Sequence, residues 1–168
     1  MIVKRTIATG VNYIKIDAMK QISFSEILES DQERKEKARQ VAEKIRLAGN
    51  YKWVGLYDVK EKEITIISFS GRGEPAFTSF PKEKGLNGRA VTRKQTVIVN
   101  DTDKDEDYLL TFTNTKSEII VPVFDTKGEK IIGTIDAEGE EKDAFAEKDA
   151  DFLGKCAAAI QPLWNNNI

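Results

Sequence analysis

Apolar residues recur at steps of three and four positions in one long segment near the start of the chain. They are Ala38, Val41, Ala42, Ile45 and Ala48, and the opposite face carries Glu, Lys, Arg and Gln. This period is that of an α-helix with one buried face, so the segment is predicted to form an amphipathic helix ending at Gly49. Ser30 and Glu33 have capping-box spacing ahead of this helix, and Ser23 and Glu26 have it ahead of a shorter helical pattern.

Beyond this helix, the apolar segments shorten to strand length and are separated by charged or glycine-containing turns. The predicted strands span residues 52–59, 63–71, 96–101, 117–125 and 130–139. The first two and the last two are joined by short turns, so each pair is predicted to form a β-hairpin. A short helix is predicted from Asn87 to Arg93, and a final helix from about Ala146 to Leu163.

The order of these elements indicates the fold class. A helix, two strands, a loop with a small helix, three strands and a last helix follow one another, without the alternation typical of a parallel sheet. An α+β (α/β) fold is predicted, in which an antiparallel sheet carries its helices on one face. The 168 residues fit one domain over 23–164, with an N-terminal strand or arm over 1–22 and a tail over 165–168.

Composition and charge limit the classes of molecule that the chain is expected to bind. Hydrophobic residues make up 40% and charged residues 32% of the chain, and 26 basic and 28 acidic residues give a net charge of −2. No positive field would attract nucleic acid or an anionic membrane, so neither is expected as a partner. The longest apolar runs are far shorter than the roughly 20 residues that cross a bilayer, and the first ten residues lack a signal peptide's apolar run. A cytoplasmic location is therefore expected.

The scarcity of reactive side chains limits the reactions that the protein could catalyse. The chain has no histidine and one cysteine, so dithiol, histidine-metal and histidine-driven nucleophilic reactions are not expected. The acidic stretch 101–107 lacks the central glycine and terminal glutamate of a calcium loop, and a solvated loop is predicted instead. No metal site is expected.

Several motifs occur in one order with characteristic spacing. They are KWVGLY (52–57), GLNG (85–88), TVIVND (96–101), SEIIVPV (117–123) and IIGTIDAEG (131–139). In this combination the chain resembles a GAF domain and, within that class, the free methionine-R-sulfoxide reductases over roughly residues 30–160. The resemblance implies a central antiparallel sheet of five to six strands. It also implies N- and C-terminal helices on one face, and a short helix and loops over a ligand pocket on the other.

The resemblance also shows where this chain departs from the reductases, which use cysteine thiolates. Phe77 and Asn87 stand where two of the family's cysteines normally lie, and Thr111 stands near the third. None of these residues carries a thiol, so no catalytic residue is assigned. Cys156 lies in the last predicted helix among apolar residues at helical spacing, which favours a small buried hydrophobe over a nucleophile. No cofactor is expected, since covalent bilin attachment needs a cysteine near the pocket and haem ligation usually a histidine.

The rest of the family's pocket has counterparts in this chain. The resemblance implies that Trp53 and Tyr57 form an aromatic wall, and that Glu118, Asp136 and Glu138 receive a ligand's ammonium group. Asp136 and Glu138 are two residues apart, so on one strand they point to the same face. Without the resemblance, the acids are equally explained as solvated carboxylates at strand ends, and the aromatics by packing alone.

Three functions follow as hypotheses. The first is a sensor-like GAF domain, with a signalling role, that binds a small amino-containing molecule such as methionine or its sulfoxide without thiol catalysis. The second is a free methionine-R-sulfoxide reductase with Cys156 as a non-standard nucleophile. The third is a dimerisation module, since GAF domains often pair through terminal helices and the QPLW segment (161–164) offers an apolar patch. A homodimer is expected under the first hypothesis as well.

Overall fold

The computed structural model describes residues 22–165, so the arm predicted over 1–22 and the tail lie almost wholly outside the described residues. The helices are α1 (Ser25–Glu29), α2 (Arg34–Gly49), α3 (Gly85–Arg93) and α4 (Glu147–Ile160). The strands are β1 (Trp53–Val59), β2 (Glu63–Gly71), β3 (Ser79–Pro81), β4 (Val97–Val99), β5 (Ser117–Phe124) and β6 (Ile131–Gly139). Short 3₁₀ helices span Thr102–Lys104 and Gln161–Trp164.

The strands form one six-stranded antiparallel sheet in the order β3-β2-β1-β6-β5-β4. Both predicted hairpins are present, and β1 and β6 pair at the centre, so the two hairpins lie side by side. The predicted α+β fold class is confirmed. β3 was not predicted, because only three of its residues pair with β2, and a segment that short has no readable alternation.

The predicted capping boxes are wrong. Neither α1 nor α2 has a side-chain hydrogen bond at its N-cap, and these caps are Phe24 and Glu33. Ser30 instead ends α1, because its hydroxyl donates to the Ile27 carbonyl at 2.8 Å. The hydroxyl is therefore used to close the preceding helix rather than to open the next one.

Two further predictions are corrected. The last α-helix ends at Ile160, and a 3₁₀ turn follows because Pro162 has no N–H to continue the α-helical bonding. The stretch 101–107 is not simply solvated, since Arg89 forms ion pairs with Asp105 at 2.5 Å and with Asp107 at 2.8 Å. The Asp105 side chain is only 16% exposed as a result.

The main hydrophobic core lies between one face of the sheet and the helices α2 and α4. Every second residue of the central strands points into it, including Val54, Leu56, Ile119, Ile135 and Ala137. The terminal helices thus pack on one face, as predicted. Leu163 and Trp164 of the QPLW segment are buried in this same core, so they do not form the exposed patch on which the dimerisation hypothesis drew.

The opposite face of the sheet is covered by α3 and the loops around it. Two smaller apolar clusters lie there, one around Trp53 and Tyr57 and the other around Leu86 and Ile120. The strands are buried on both faces of the sheet. Successive residues of a strand therefore point alternately into the main core and into the interior covered by α3. Within residues 22–165, no helix combines the length and apolar character needed to cross a membrane.

Candidate functional site

Three carboxylates meet on the loop-covered face of the sheet. Glu118 on β5 lies directly opposite Glu138 on β6, and Asp136 precedes Glu138 by two residues on the same strand. The exposed fractions of these residues are 4% for Glu118, 3% for Asp136 and 0% for Glu138. The alternative of solvated strand-end carboxylates is therefore wrong.

The short helix α3 supplies a hydrogen-bond donor to one of these acids. Asn87 is buried, and its side-chain Nδ2 donates to Asp136 Oδ2 at 2.9 Å. The orientation of the Asn87 amide is fixed by Thr134, whose hydroxyl donates to Asn87 Oδ1 at 2.5 Å. The residue aligned with a family cysteine is thus joined directly to the acid cluster.

A second set of partners holds Glu138. The Thr115 hydroxyl donates to Glu138 Oε2, and the Lys52 ammonium lies 3.8 Å from the same oxygen. Lys52 Nζ also donates to Thr115 Oγ1 at 2.9 Å. Neither Lys52 nor Thr115 was predicted as a site residue. Lys52 stands just before β1, beside the strand that carries Glu138, but the sequence gives no signal for Thr115, which is brought in by a loop.

Each carboxyl group has one buried oxygen that no N–H or hydroxyl group of the described residues contacts, and Glu118 and Asp136 lie close enough to share a hydrogen bond when one of them is protonated. Within the described residues, Glu118 Oε2, Asp136 Oδ1 and Glu138 Oε1 are buried and accept no hydrogen bond. A buried acceptor left unpaired carries a desolvation penalty of roughly 1–3 kcal/mol, and more when it is charged. The cluster is therefore destabilising unless it is protonated or receives donors from a bound molecule.

Burial shifts the titration of all three acids. It raises the pKa of Glu118 and of Asp136 well above the ordinary values, and mutual repulsion with the neighbouring carboxylates adds to both shifts. Burial raises the pKa of Glu138 to about 7, opposed by the hydroxyl of Thr115 and the charge of Lys52. At neutral pH the cluster consequently retains part of its protons and carries fewer than three negative charges.

The two predicted aromatic residues, Trp53 and Tyr57, lie beside the acids, but only one of them lines the cavity. Tyr57 is 2% exposed and contacts the Phe80 ring at a centroid distance of 5.9 Å. Trp53 lies opposite Glu138 in the β1–β6 pairing, is fully buried, and stacks on Phe69 at 5.5 Å. Tyr57 lines the cavity described next, whereas Trp53 does not.

A narrow cavity opens over Glu118 and Asp136. Its wall is formed by Tyr57, Phe77, Asn87, Thr111, Glu118 and Asp136, together with Phe80, Leu86 and Leu109. All three residues aligned with family cysteines therefore reach this wall. The centre of a water molecule can move through only about 10 Å³, room for about one water. A larger ligand would have to displace part of the wall.

The outer rim of the cavity is apolar and exposed. Phe77 is 45% exposed, and Leu110, between the wall residues Leu109 and Thr111, is 59% exposed. The Thr111 hydroxyl donates to the Leu109 carbonyl, at 3.1 Å, within its own loop. This loop is the part of the wall that can move with the smallest loss of packing, because it belongs to no strand or helix.

Cys156 lies on the other side of the sheet. It is 1% exposed in the core beneath α2 and α4, and burial raises the pKa of its thiol to about 12. A thiol with that pKa is not ionised at neutral pH and is a poor nucleophile. Among the described residues, no group of histidine, cysteine, aspartate or glutamate side chains is arranged to hold a metal ion.

The antiparallel sheet with helices on one face and a walled cavity on the other defines a class of domain. Residues 34–161 match the family model of the GAF domain, a small-molecule-binding fold, and the chain belongs to that family. The fold of free methionine-R-sulfoxide reductases is closely similar. The solved structure of the Neisseria meningitidis enzyme in complex with its substrate superposes with a TM-score of 0.77 at 26% identity, covering 91% of this chain and 89% of that one.

Two curated relatives agree with this assignment. A free methionine-R-sulfoxide reductase of Saccharomyces cerevisiae is 34% identical over 115 residues, which are 68% of this chain and 63% of the yeast protein. GAF domain-containing protein A of Dictyostelium discoideum is 34% identical over 76 residues, 45% of this chain and 47% of that protein. The matches thus span less than two thirds of either relative.

Proposed function

We propose that this GAF domain binds a small molecule through its primary ammonium group, and that it does so without thiol catalysis. The observation that carries the proposal is the set of three buried oxygens without partners, one each on Glu118, Asp136 and Glu138. An ammonium group has three N–H donors and no acceptor, so its donors match three acceptor oxygens in number, and its positive charge suits a cluster of acids. A ligand of this kind would lower the desolvation penalty of the acids that it contacts.

The charge balance of the site supports a cationic group. Lys52 is the cation paired with the cluster in the described structure, and at 3.8 Å from Glu138 it compensates one of three carboxylates. No arginine or lysine from the described part of the chain lines the cavity wall. Within a poorly hydrated interior, opposite charges attract much more strongly than in water, so a ligand cation would be favoured over a neutral molecule.

The remainder of the wall favours an apolar side chain on the ligand. Tyr57, Phe80, Leu86 and Leu109 surround the acids with carbon atoms. A flexible thioether fits irregular apolar surroundings and makes favourable contacts with aromatic rings. Because reductases acting on free methionine-R-sulfoxide share this fold, we propose methionine, its sulfoxide or a related amino acid as the ligand.

Calorimetric titration is expected to detect binding of L-methionine or one of its sulfoxide epimers at pH 8. N-acetyl-L-methionine is the matched control, since it keeps the side chain but has no ammonium group. Its affinity is expected to be at least about 100-fold lower, equivalent to about 2.7 kcal/mol. Equal affinities for the two compounds, or no heat from any amine added to folded protein, would contradict the proposal.

Affinity for the amine is also expected to fall as the pH is lowered from 8 to 5.5. The pKa of Glu138, raised to about 7, means that this acid takes up a proton across this range and loses charge that the ligand needs, and the raised pKa values of Glu118 and Asp136 favour the protonated form in the same direction. Titration in buffers of different ionisation enthalpy would reveal proton release on binding. An affinity independent of pH would exclude the carboxylates as the recognising groups.

The absence of thiol chemistry is tested separately. With dithiothreitol as reductant, the protein is expected not to reduce free methionine-R-sulfoxide, because the wall residues Phe77, Asn87 and Thr111 carry no thiol and Cys156 is buried on the other face. A Cys156→Ser variant is expected to bind the amine as the unchanged protein does. Turnover that this substitution abolishes would establish the reductase hypothesis instead.

A further inference from the structure

A second group of polar side chains lies outside the cavity, where β1 begins and β2 ends. It lines an open groove of about 770 Å³. Among the described residues, three cations, Arg46, Lys52 and Arg72, line this groove, against a single carboxylate, Glu140. That carboxylate already accepts a hydrogen bond from Asn114 at 2.7 Å. The groove is therefore locally positive although the whole chain has a net charge of −2.

The arginines of the groove have unused donors. Arg46 Nε donates to Ser70 Oγ at 2.9 Å, which fixes the guanidinium and leaves both terminal nitrogens without a partner in the described structure. Arg72 makes no hydrogen bond or ion pair with any other residue in 22–165. A position near the C-terminal end of α2 explains a cation at Arg46 through the helix dipole, but it does not explain Arg72 or Lys52.

Lys52 is the third donor, and hydrogen bonds already fix the position of its ammonium group. Its ammonium donates to Asn114 Oδ1 at 2.6 Å and to Thr115 Oγ1 at 2.9 Å, and it lies 4.7 Å from the centre of the Phe112 ring. Partial burial lowers the pKa of Lys52 because its charge is poorly hydrated. Glu138, 3.8 Å away, partly compensates this charge, and an anion in the groove would add to that compensation.

We propose that this groove binds a small molecule carrying a phosphoryl group, with Arg46, Arg72 and Lys52 as its donors. A phosphoryl group presents three strong acceptor oxygens, and guanidinium forks bind such oxygens in pairs. Arg46 is fixed by Ser70 and Lys52 by Asn114 and Thr115, so two of the three cations need no reordering to receive the anion. The groove is distinct from the cavity proposed to hold the ammonium group, although Lys52 also pairs with Glu138 of the acid cluster at 3.8 Å.

Titration with inorganic pyrophosphate at constant ionic strength tests the anion site. In ¹⁵N-labelled protein, the side-chain Nε–H signals of Arg46 and Arg72 are expected to shift together and to saturate. Arg72→Gln is the informative variant, because Arg72 is exposed and its loss does not threaten folding. It is expected to weaken binding at least about tenfold, the size of one charge-assisted hydrogen bond. Arg93→Gln removes the same charge from an exposed position at the end of α3 and is the matched control.

Saturable shifts confined to the groove, weakened by Arg72→Gln and unchanged by Arg93→Gln, would support the site. Equal weakening by both variants, or shifts spread over all exposed cations without saturation, would overturn it, because either result indicates general charge attraction. The titration is made without any amine, so failure of amine binding and failure of anion binding are distinguished.

Discussion

Replacing Glu118 by glutamine is expected to make the folded protein more stable at pH 8 while removing most of its affinity for an amine. The Glu118 carboxyl is buried, its Oε2 has no partner in the described structure, and it faces the negative charge of Asp136. A glutamine of the same shape carries no charge and can donate to the free oxygen of Asp136. The gain is expected to be about 2 kcal/mol, since buried ions without full compensation are destabilising by several kcal/mol.

The sign of the pH dependence follows from the shifted pKa. In the unfolded chain Glu118 titrates near its ordinary value of 4.5, and in the folded protein its pKa lies well above that. Folding is therefore favoured by proton binding below pH 4.5, and this contribution is lost as the pH rises through the folded pKa. The difference in unfolding free energy between Glu118→Gln and the unchanged protein should be near zero at pH 4 and large at pH 8.

Urea unfolding at the two pH values measures this difference. Glu61→Gln, at an exposed position in the β1–β2 turn, is the matched control and is expected to change stability by less than about 0.5 kcal/mol. In the amine titration, Glu118→Gln should weaken binding about 100-fold through the loss of one charged acceptor. A variant less stable than the unchanged protein at pH 8 would contradict this account of the cluster.

Gly55→Ala is expected to destabilise the protein by about 3 kcal/mol, near the upper end for overpacked interiors. A Cβ atom at Gly55 would lie 2.3 Å from the Trp53 ring and 2.9 Å from the Tyr57 ring. Trp53 cannot turn away, because it is fully buried and in contact with the rings of Phe69 and Phe112, both at 5.5 Å. Since Gly55 pairs with Asp136, the displaced rings would also disturb the acid cluster.

A glycine in open surroundings provides the comparison. Gly154 lies within α4, and a Cβ atom there would have no neighbour within 4 Å. Gly154→Ala is expected to raise stability by about 0.5–1 kcal/mol through helix propensity alone. Thermal or urea unfolding of both variants would distinguish crowding at Gly55 from a general effect of alanine. A neutral Gly55→Ala would show that the aromatic cluster has room to yield.

The central part of the fold could be predicted from the sequence because the apolar patterns that indicate it are local. The strands of both hairpins and helix α2 have clear apolar periods, and two-residue spacing correctly indicates that Asp136 and Glu138 share a face. β3 was missed because its position depends on pairing with β2 rather than on its own residues. The start of α2 was misread because Ser30 had two bonding options, and only tertiary structure decides between them.

The acid cluster was less predictable than the strands that carry it. The sequence grouped Glu118 with the pair on β6 only through resemblance, and it could not distinguish buried acids from solvated ones. That distinction depends on α3 and the loop around Thr115, which cover the strands from distant parts of the chain. Asn87 was treated only as the residue standing in for a thiol, whereas the structure gives it a direct hydrogen bond to Asp136.

The two tryptophans of the chain lie on opposite faces of the sheet, and this arrangement has an optical consequence. Trp53 is packed between aromatic rings beside Glu138, whereas Trp164 belongs to the core beneath the terminal helices. Indole emission responds to the polarity and charge of its immediate surroundings. With Trp164 replaced by phenylalanine, the remaining tryptophan fluorescence would come from Trp53 alone. The wavelength of its emission maximum would then report changes at the carboxylates without any attached dye.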